Sequence, residues 1–418
     1  MAMEANTTPE LSGPVPPAVF LRLCAREPYR ILFPLGTVLG LLGVAVWPLS
    51  MLGWAPSPPL QSHPRIMVEG FVGSFVIGFL ATSLPRLLEV EPLSGNLVLV
   101  LGVTLLSSSI FHLLGWPWAG DMLFTFALVL LLIAFTARGR RRRIPPPSFL
   151  LVLLGVAGGA VGAFLQAEQA AGMRTSPLVR QVSLLLVWQG LPLLPVLGVG
   201  AFFLPRLYER ESPERAVPAL AAGWAREAFL AAGAGLLLFA SFLLEAEGKG
   251  LLGGLLRVCV IASYLWATLP ASGALRAKGT VTAAARFAVA FSLLGFFLAA
   301  LLGTGRAGYL HLFFIGGAGL MILALGVRVV YGFSGRGFLL HFRFIPFELA
   351  IAGVAAAVVT RIGADHLPSG RSVLLSVAAV FWIAALALWA FAVLPFVLCP
   401  DTEEKKEAEG GRAESALG

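Results

Sequence analysis

Charge is what this chain has least of. Only 12% of its 418 residues are Asp, Glu, Lys or Arg, against 58% hydrophobic, and mean hydropathy is +0.88. A soluble protein of this length carries about twice that charged fraction, so a soluble globular class is excluded. Cysteine is nearly absent. Cys24, Cys259 and Cys399 lie far apart, with no CxxC pair, zinc spacing or disulfide framework, and read as ordinary buried thiols. Phosphate-binding GxxxxGK[ST], GxSxG, HExxH and a strand–helix GxGxxG are all missing, which leaves hydrolase, ATPase and nicotinamide chemistry without support. The pI near 9.9 does not point to nucleic acid, because the basic residues sit between apolar runs.

The apolar runs are abundant. Counted at roughly 20 residues per crossing, they give twelve spans near 31–53, 66–84, 96–115, 120–137, 148–167, 182–204, 224–244, 252–272, 281–303, 309–330, 346–362 and 373–398. The sixth contains Pro192 and Pro195 and is expected to be kinked. The fold class is therefore all-α and integral to a membrane. The chain divides into a polar, Pro-rich segment 1–30, a transmembrane domain 31–398 and a charged tail 399–418 expected to be disordered. No signal peptide is expected. The first span would act as an uncleaved insertion signal.

Lys and Arg set the expected orientation. With the N-terminus inside, inner segments hold Arg22, Arg26, Arg30, Arg86, Arg206, Arg336, Arg343 and the run Arg138-Gly139-Arg140-Arg141-Arg142-Arg143, among others. Outer segments hold Arg65, Arg174, Arg180, Lys249, Arg257, Arg306, Arg361 and Arg371. The excess places both termini in the cytoplasm. The arginine run reads as an inside anchor rather than a nucleic-acid site, and Arg86, Arg206 and Arg328 as snorkelling anchors at inner span ends.

The chain also repeats itself. A shift of 120 residues carries Glu69-Gly70 onto Gln189-Gly190, Gly78 onto Gly198, and Leu84-Pro85-Arg86-Leu87 onto Leu204-Pro205-Arg206-Leu207. A further shift of 122 brings Arg86 to Arg328 and Glu69 to His311; this third copy is weak. The pattern predicts three four-helix units whose second helices line something shared.

Ionisable groups inside or at the mouths of spans are the functional candidates. His63, His112, His311 and His366 all fall on the expected outer side, where neutral imidazoles would suit a haem or copper site. His112 and His366 read first as solvated interface residues. His63 and His311 carry more weight, because they sit at the mouths of related helices. On a regular helix His63, Met67, Gly70 and Ser74 share a face and Glu69 lies off it, so Glu69 is expected to orient a ligand or relay protons, with Gln189 as its neutral counterpart. Gly70, Gly73, Ser74, Gly78, Gly316, Gly317 and Gly319 permit close helix approach, or approach of a flat macrocycle.

The stretch His63-Pro64-Arg65-Ile66-Met67-Val68-Glu69-Gly70-Phe71 through Pro85 resembles the second helix of the NnrS family. Leu310-His311-Leu312, Gly319-Leu320-Met321-Ile322-Leu323, Arg328 and Gly332-Phe333-Ser334-Gly335-Arg336 resemble its tenth helix and following loop, and Pro28-Tyr29-Arg30 with Phe33-Pro34-Leu35-Gly36 its entry. The resemblance implies a twelve-span bacterial inner-membrane protein that binds haem and copper, acts on nitric oxide or a nitrosylated small molecule with an electron donor, and shares its architecture with the core subunit of haem–copper oxidases. Members commonly read His-x-His-Glu-Met in the second span and Gly-His-Thr-Gly-Arg after the tenth. Here Arg65 and Ile66 replace the second His and the Glu, and Phe333 and Ser334 replace the later His and Thr. His63 and His311 carry over as cofactor ligands; a complete two-metal site does not. The rival class is a proton-coupled secondary transporter without metal, in which the repeated helices line a substrate path and Glu69 takes the proton.

Overall fold

The computed structural model describes residues 17–55, 58–136, 144–209, 223–269 and 277–399. The arginine run at 138–143 and the tail from 400 lie outside the described residues. Twelve described helices are long and apolar enough to cross a membrane: Tyr29–Met51, Pro59–Leu88, Gly95–Leu113, Pro117–Thr136, Phe149–Ala170, Pro177–Tyr208, Trp224–Ala246, Gly250–Thr268, Thr280–Leu301, Arg306–Phe333, Ile345–His366 and Pro368–Leu398. All twelve expected spans are there, and no strand occurs among the described residues. In hydrocarbon every backbone N–H and C=O must find a partner within the chain, which a helix achieves locally. The ends are stopped by ordinary chemistry. Ser94 and Ser176 accept from the backbone N–H groups of Leu97 and Val179, and Gly115, at φ 78°, makes the tight turn between the third and fourth spans. A short helix, Pro17–Arg26, precedes the first span and buries Leu23 and Cys24. Burial pushes the Cys24 thiol up to about 11, as befits an unreactive structural cysteine.

Consecutive spans pack against one another and the twelfth returns to the first, closing a ring. The second, sixth and tenth spans lie inside it. They are 89%, 72% and 72% buried, against 33–56% for the other nine. The three repeated helices thus share the molecular axis, as the internal repeat predicts.

Each of these three helices also carries a π-helical segment: Ile66–Val72, Leu186–Gly190 and Leu312–Gly319. The first two begin at positions matched by the 120-residue repeat, and the third lies about one turn further along. A π segment widens the helix and turns the following side chains relative to those before it. In the sixth span this segment ends just before Pro192 and Pro195, where a kink is expected, and the α-helix runs on through both prolines.

The glycines of the central spans are filled by neighbouring helices. A Cβ on Gly70 would meet Ser109, on Gly73 Phe124, on Gly78 Leu32, on Gly316 Phe291, on Gly317 Ser292 and on Gly319 Trp382, each within 3.0 Å. Of the two readings of these small residues, close helix approach is the one observed.

Candidate functional site

Each four-helix unit holds a polar cluster at the same end of the bundle, the end where its third span meets its fourth. In the first unit, Glu69 sits within the π segment of the second span and is fully buried. His112 comes from the end of the third span and Asp121 from the start of the fourth, both buried. The Nε2 of His112 lies 2.8 Å from a Glu69 carboxylate oxygen and 3.8 Å from Asp121 Oδ1. Arg65, one turn before Glu69, donates to both oxygens of Asp121 at 2.8 and 3.3 Å. Ser108 donates to Glu69 at 3.4 Å, while the second Glu69 oxygen is buried with no hydrogen-bond partner. Gly120 makes room for the imidazole, since a Cβ there would lie 2.3 Å from His112 Cε1.

His112, expected as a solvated interface residue, is therefore 1% exposed and central to this cluster. Its position one helix away from Glu69 is a tertiary fact that no spacing in the chain reveals. Asp121 was missed altogether, although an acid inside an apolar run is itself a signal. One nitrogen and two carboxylate donors, with ligand atoms all within 4.8 Å of one another, could hold a metal ion. With both acids ionised, the Arg65 guanidinium leaves one negative charge uncompensated. The cluster therefore requires either a proton or a cation.

His63 and His311 occupy a different face. A carbonyl oxygen can only accept, so each imidazole carries its proton on Nδ1: His63 donates to Gly43 O at 2.8 Å and His311 to Ala307 O at 2.7 Å. Nε2 is then the nitrogen left with a lone pair, and anchoring the opposite N–H on a carbonyl is one way a protein fixes an imidazole that binds a metal. Both rings lie within electrostatic reach of Arg361, and His311 also of His63. The Met67 thioether packs on Gly43, the residue that holds His63. The stripe of His63, Met67, Gly70 and Ser74 faces the first span, against Gly43, Leu39 and Gly36, and Glu69 points away from it, as the periodicity predicts. His366 is exposed and pairs with the Tyr309 hydroxyl at 3.0 Å.

The second unit has a matching cluster of opposite sign. Gln189 accepts from Arg257 at 2.5 Å, and Arg257 also reaches Glu245 at 2.9 Å and Ser241 at 3.2 Å. Arg306 of the tenth span pairs with the same Glu245. The sequence assigns Arg257 to an outer segment. It lies inside the eighth span and is 1% exposed, because Glu245 and Gln189 neutralise and solvate it there. In the third unit Asp365 accepts from the Gly308 N–H at 2.7 Å and lies 3.0 Å from Arg361 and 3.7 Å from Arg371.

On the axis itself, below these clusters, lies a cavity of about 40 Å³ between the first, second, sixth and tenth spans. Phe33, Phe75, Phe79, Pro195, Val199 and Ile322 are among its lining residues, all of which are apolar. Glu69 and Gln189 both turn from the axis into their own units.

One protein family matches. The family model described as NnrS protein covers residues 24–400. No curated protein matches the chain.

Proposed function

The chain belongs to the NnrS family, and from that premise we propose that it is a haem-binding membrane protein of nitric oxide metabolism or of resistance to nitrosative stress. The observation that carries the reading is the pair of imidazoles at the mouths of the second and tenth spans, each with its Nδ1 proton given to a backbone carbonyl. Such imidazoles fit an iron or copper ligand, because the tautomer and ring orientation are fixed before the metal binds. Haem iron would be held by His63 or His311, with its other axial position left open, and would supply reversible binding of nitric oxide and one-electron chemistry.

The two donor sets suit different ions. Copper would be served by whichever of His63 and His311 does not hold iron, with the Met67 thioether, since these are borderline and soft donors. The Glu69–His112–Asp121 set is harder, and Arg65 already provides a cation beside it. In this reading Glu69 holds or releases a proton beside His112, and Gln189 is locked to Arg257 as a neutral structural counterpart. Neither reaches the reacting molecule.

The transporter reading asks that the repeated helices line a polar path on which Glu69 is a stop. The axial cavity is apolar and Glu69 faces the third and fourth spans, which favours the haem reading. The test is the reduced-minus-oxidised spectrum of the detergent-purified protein, expressed with ample haem. Wild type is expected to show a Soret band that falls or shifts in His63→Ala and in His311→Ala, and stays unchanged in His366→Ala. A colourless wild-type protein would sink the assignment.

A further inference from the structure

The end of the bundle opposite these clusters carries three arginines that no described carboxylate neutralises. Arg206 comes from the end of the sixth span, Arg286 from the start of the ninth and Arg328 from the end of the tenth. None of them forms an ion pair with a described residue, whereas Arg86, the first-unit counterpart of Arg206 and Arg328, pairs with Glu27. All three are partly buried, and Arg206 donates to Phe202 O and Arg286 to Ala277 O. The Nε of Arg328 and that of Arg286 are buried without a hydrogen-bond partner. Arg206 lies 3.7 Å over the Phe202 ring, Arg328 5.4 Å over Phe203 and Arg286 5.9 Å over Tyr208. Arg206 and Arg328 are within electrostatic reach of each other, and Arg328 is the one charged residue lining a small cavity between the three spans, otherwise walled by side chains such as Phe203, Leu207, Val281 and Met321.

Aromatic faces attract a cation but do not discharge it. Half-buried guanidinium groups gathered without acids cost free energy through desolvation and mutual repulsion, and an anion removes both costs. The planar fork of arginine matches the oxygens of a phosphate group. We propose that Arg206, Arg286 and Arg328 form a binding site for a phosphate group, carried either by an anionic lipid headgroup or by a soluble phosphate. The apolar walls beside Arg328 are equally suited to the start of an acyl chain.

The test uses the full chain, delipidated in neutral detergent. Its thermal midpoint and binding are followed against inorganic phosphate, and in nanodiscs of phosphatidylcholine with and without phosphatidylglycerol. Wild type is expected to be stabilised saturably by phosphate or by the anionic lipid. Arg328→Gln is expected to weaken that response at least tenfold while raising the midpoint in anion-free buffer, since it removes an uncompensated charge. Arg206→Gln combined with Arg328→Gln abolishes the response, and Arg343→Gln, at an exposed arginine paired with Glu348, changes neither. A response to inorganic phosphate in lipid-free micelles assigns a soluble anion, and a response confined to phosphatidylglycerol assigns a headgroup. No response to either, or one that survives in the double variant, overturns the proposal. Should the double variant not fold, Arg286→Gln serves in its place, with the same two readouts.

Discussion

Glu245 shows what a single buried charge does in this molecule. It holds Arg257 at 2.9 Å in the interior of the second unit and also binds Arg306 from the third, so one carboxylate compensates two cations and ties two units together. Glu245→Gln keeps the shape and leaves Arg257 buried with only neutral partners. Breaking a buried pair from one side typically costs about 3–5 kcal/mol, so this variant is expected to lower the midpoint of thermal unfolding markedly, whereas Arg343→Gln at the surface leaves it within error. Equal midpoints for the two variants would show that the Arg257 cluster is not structural. At this scale the sequence was only partly legible. His63, His311 and Glu69 stand out because imidazole and carboxylate are rare in apolar runs, and the helical period correctly separated Glu69 from His63. The partners were hidden: His112 and Asp121 meet Glu69 only through the packing of three helices, and Arg257 looks like a loop charge until Glu245, on the preceding helix, is seen to face it.

The element that sets the candidate site is the π segment of the second span. Glu69 lies within Ile66–Val72, and His63 precedes it by about one turn. A π segment is equivalent to one residue inserted into an α-helix, so the register between His63 and everything from Gly73 onward depends on it. Hydropathy and spacing report a continuous span here, because an inserted residue changes neither apolar content nor length enough to register. Adding one alanine after Val68 supplies a second extra residue, which is expected to rotate His63 by about 100° relative to the packed segment from Gly73. The consequence would be loss of the Soret band while the protein still inserts and runs as a monodisperse species in detergent. Replacing Val68 by Ala, which keeps the register, is expected to retain the band. An insertion variant with an unchanged spectrum would separate the register of this segment from cofactor binding.

At the scale of the whole molecule, the internal repeat and the observed architecture meet most closely. Three helices related by that repeat lie on the axis, the other nine surround them, and one end of each unit is closed by its own polar cluster while the opposite end carries Arg86, Arg206 and Arg328. An even number of spans places the two ends of the spanning region on one side, and the excess of Lys and Arg on the segments of that side leads to the expectation that it faces the cytoplasm. Arg257 and Arg306 weigh less in that asymmetry, since both are paired with Glu245. In a bacterial host, a fluorescent protein fused after Gly418 is therefore expected to fluoresce and alkaline phosphatase at the same point to be inactive, while phosphatase inserted in the turn at Gly115, between the third and fourth spans, is expected to be active. The reverse pattern would place the histidine mouths on the cytoplasmic side. Nitric oxide would then reach them from within the cell, and the arginine cluster would face outward.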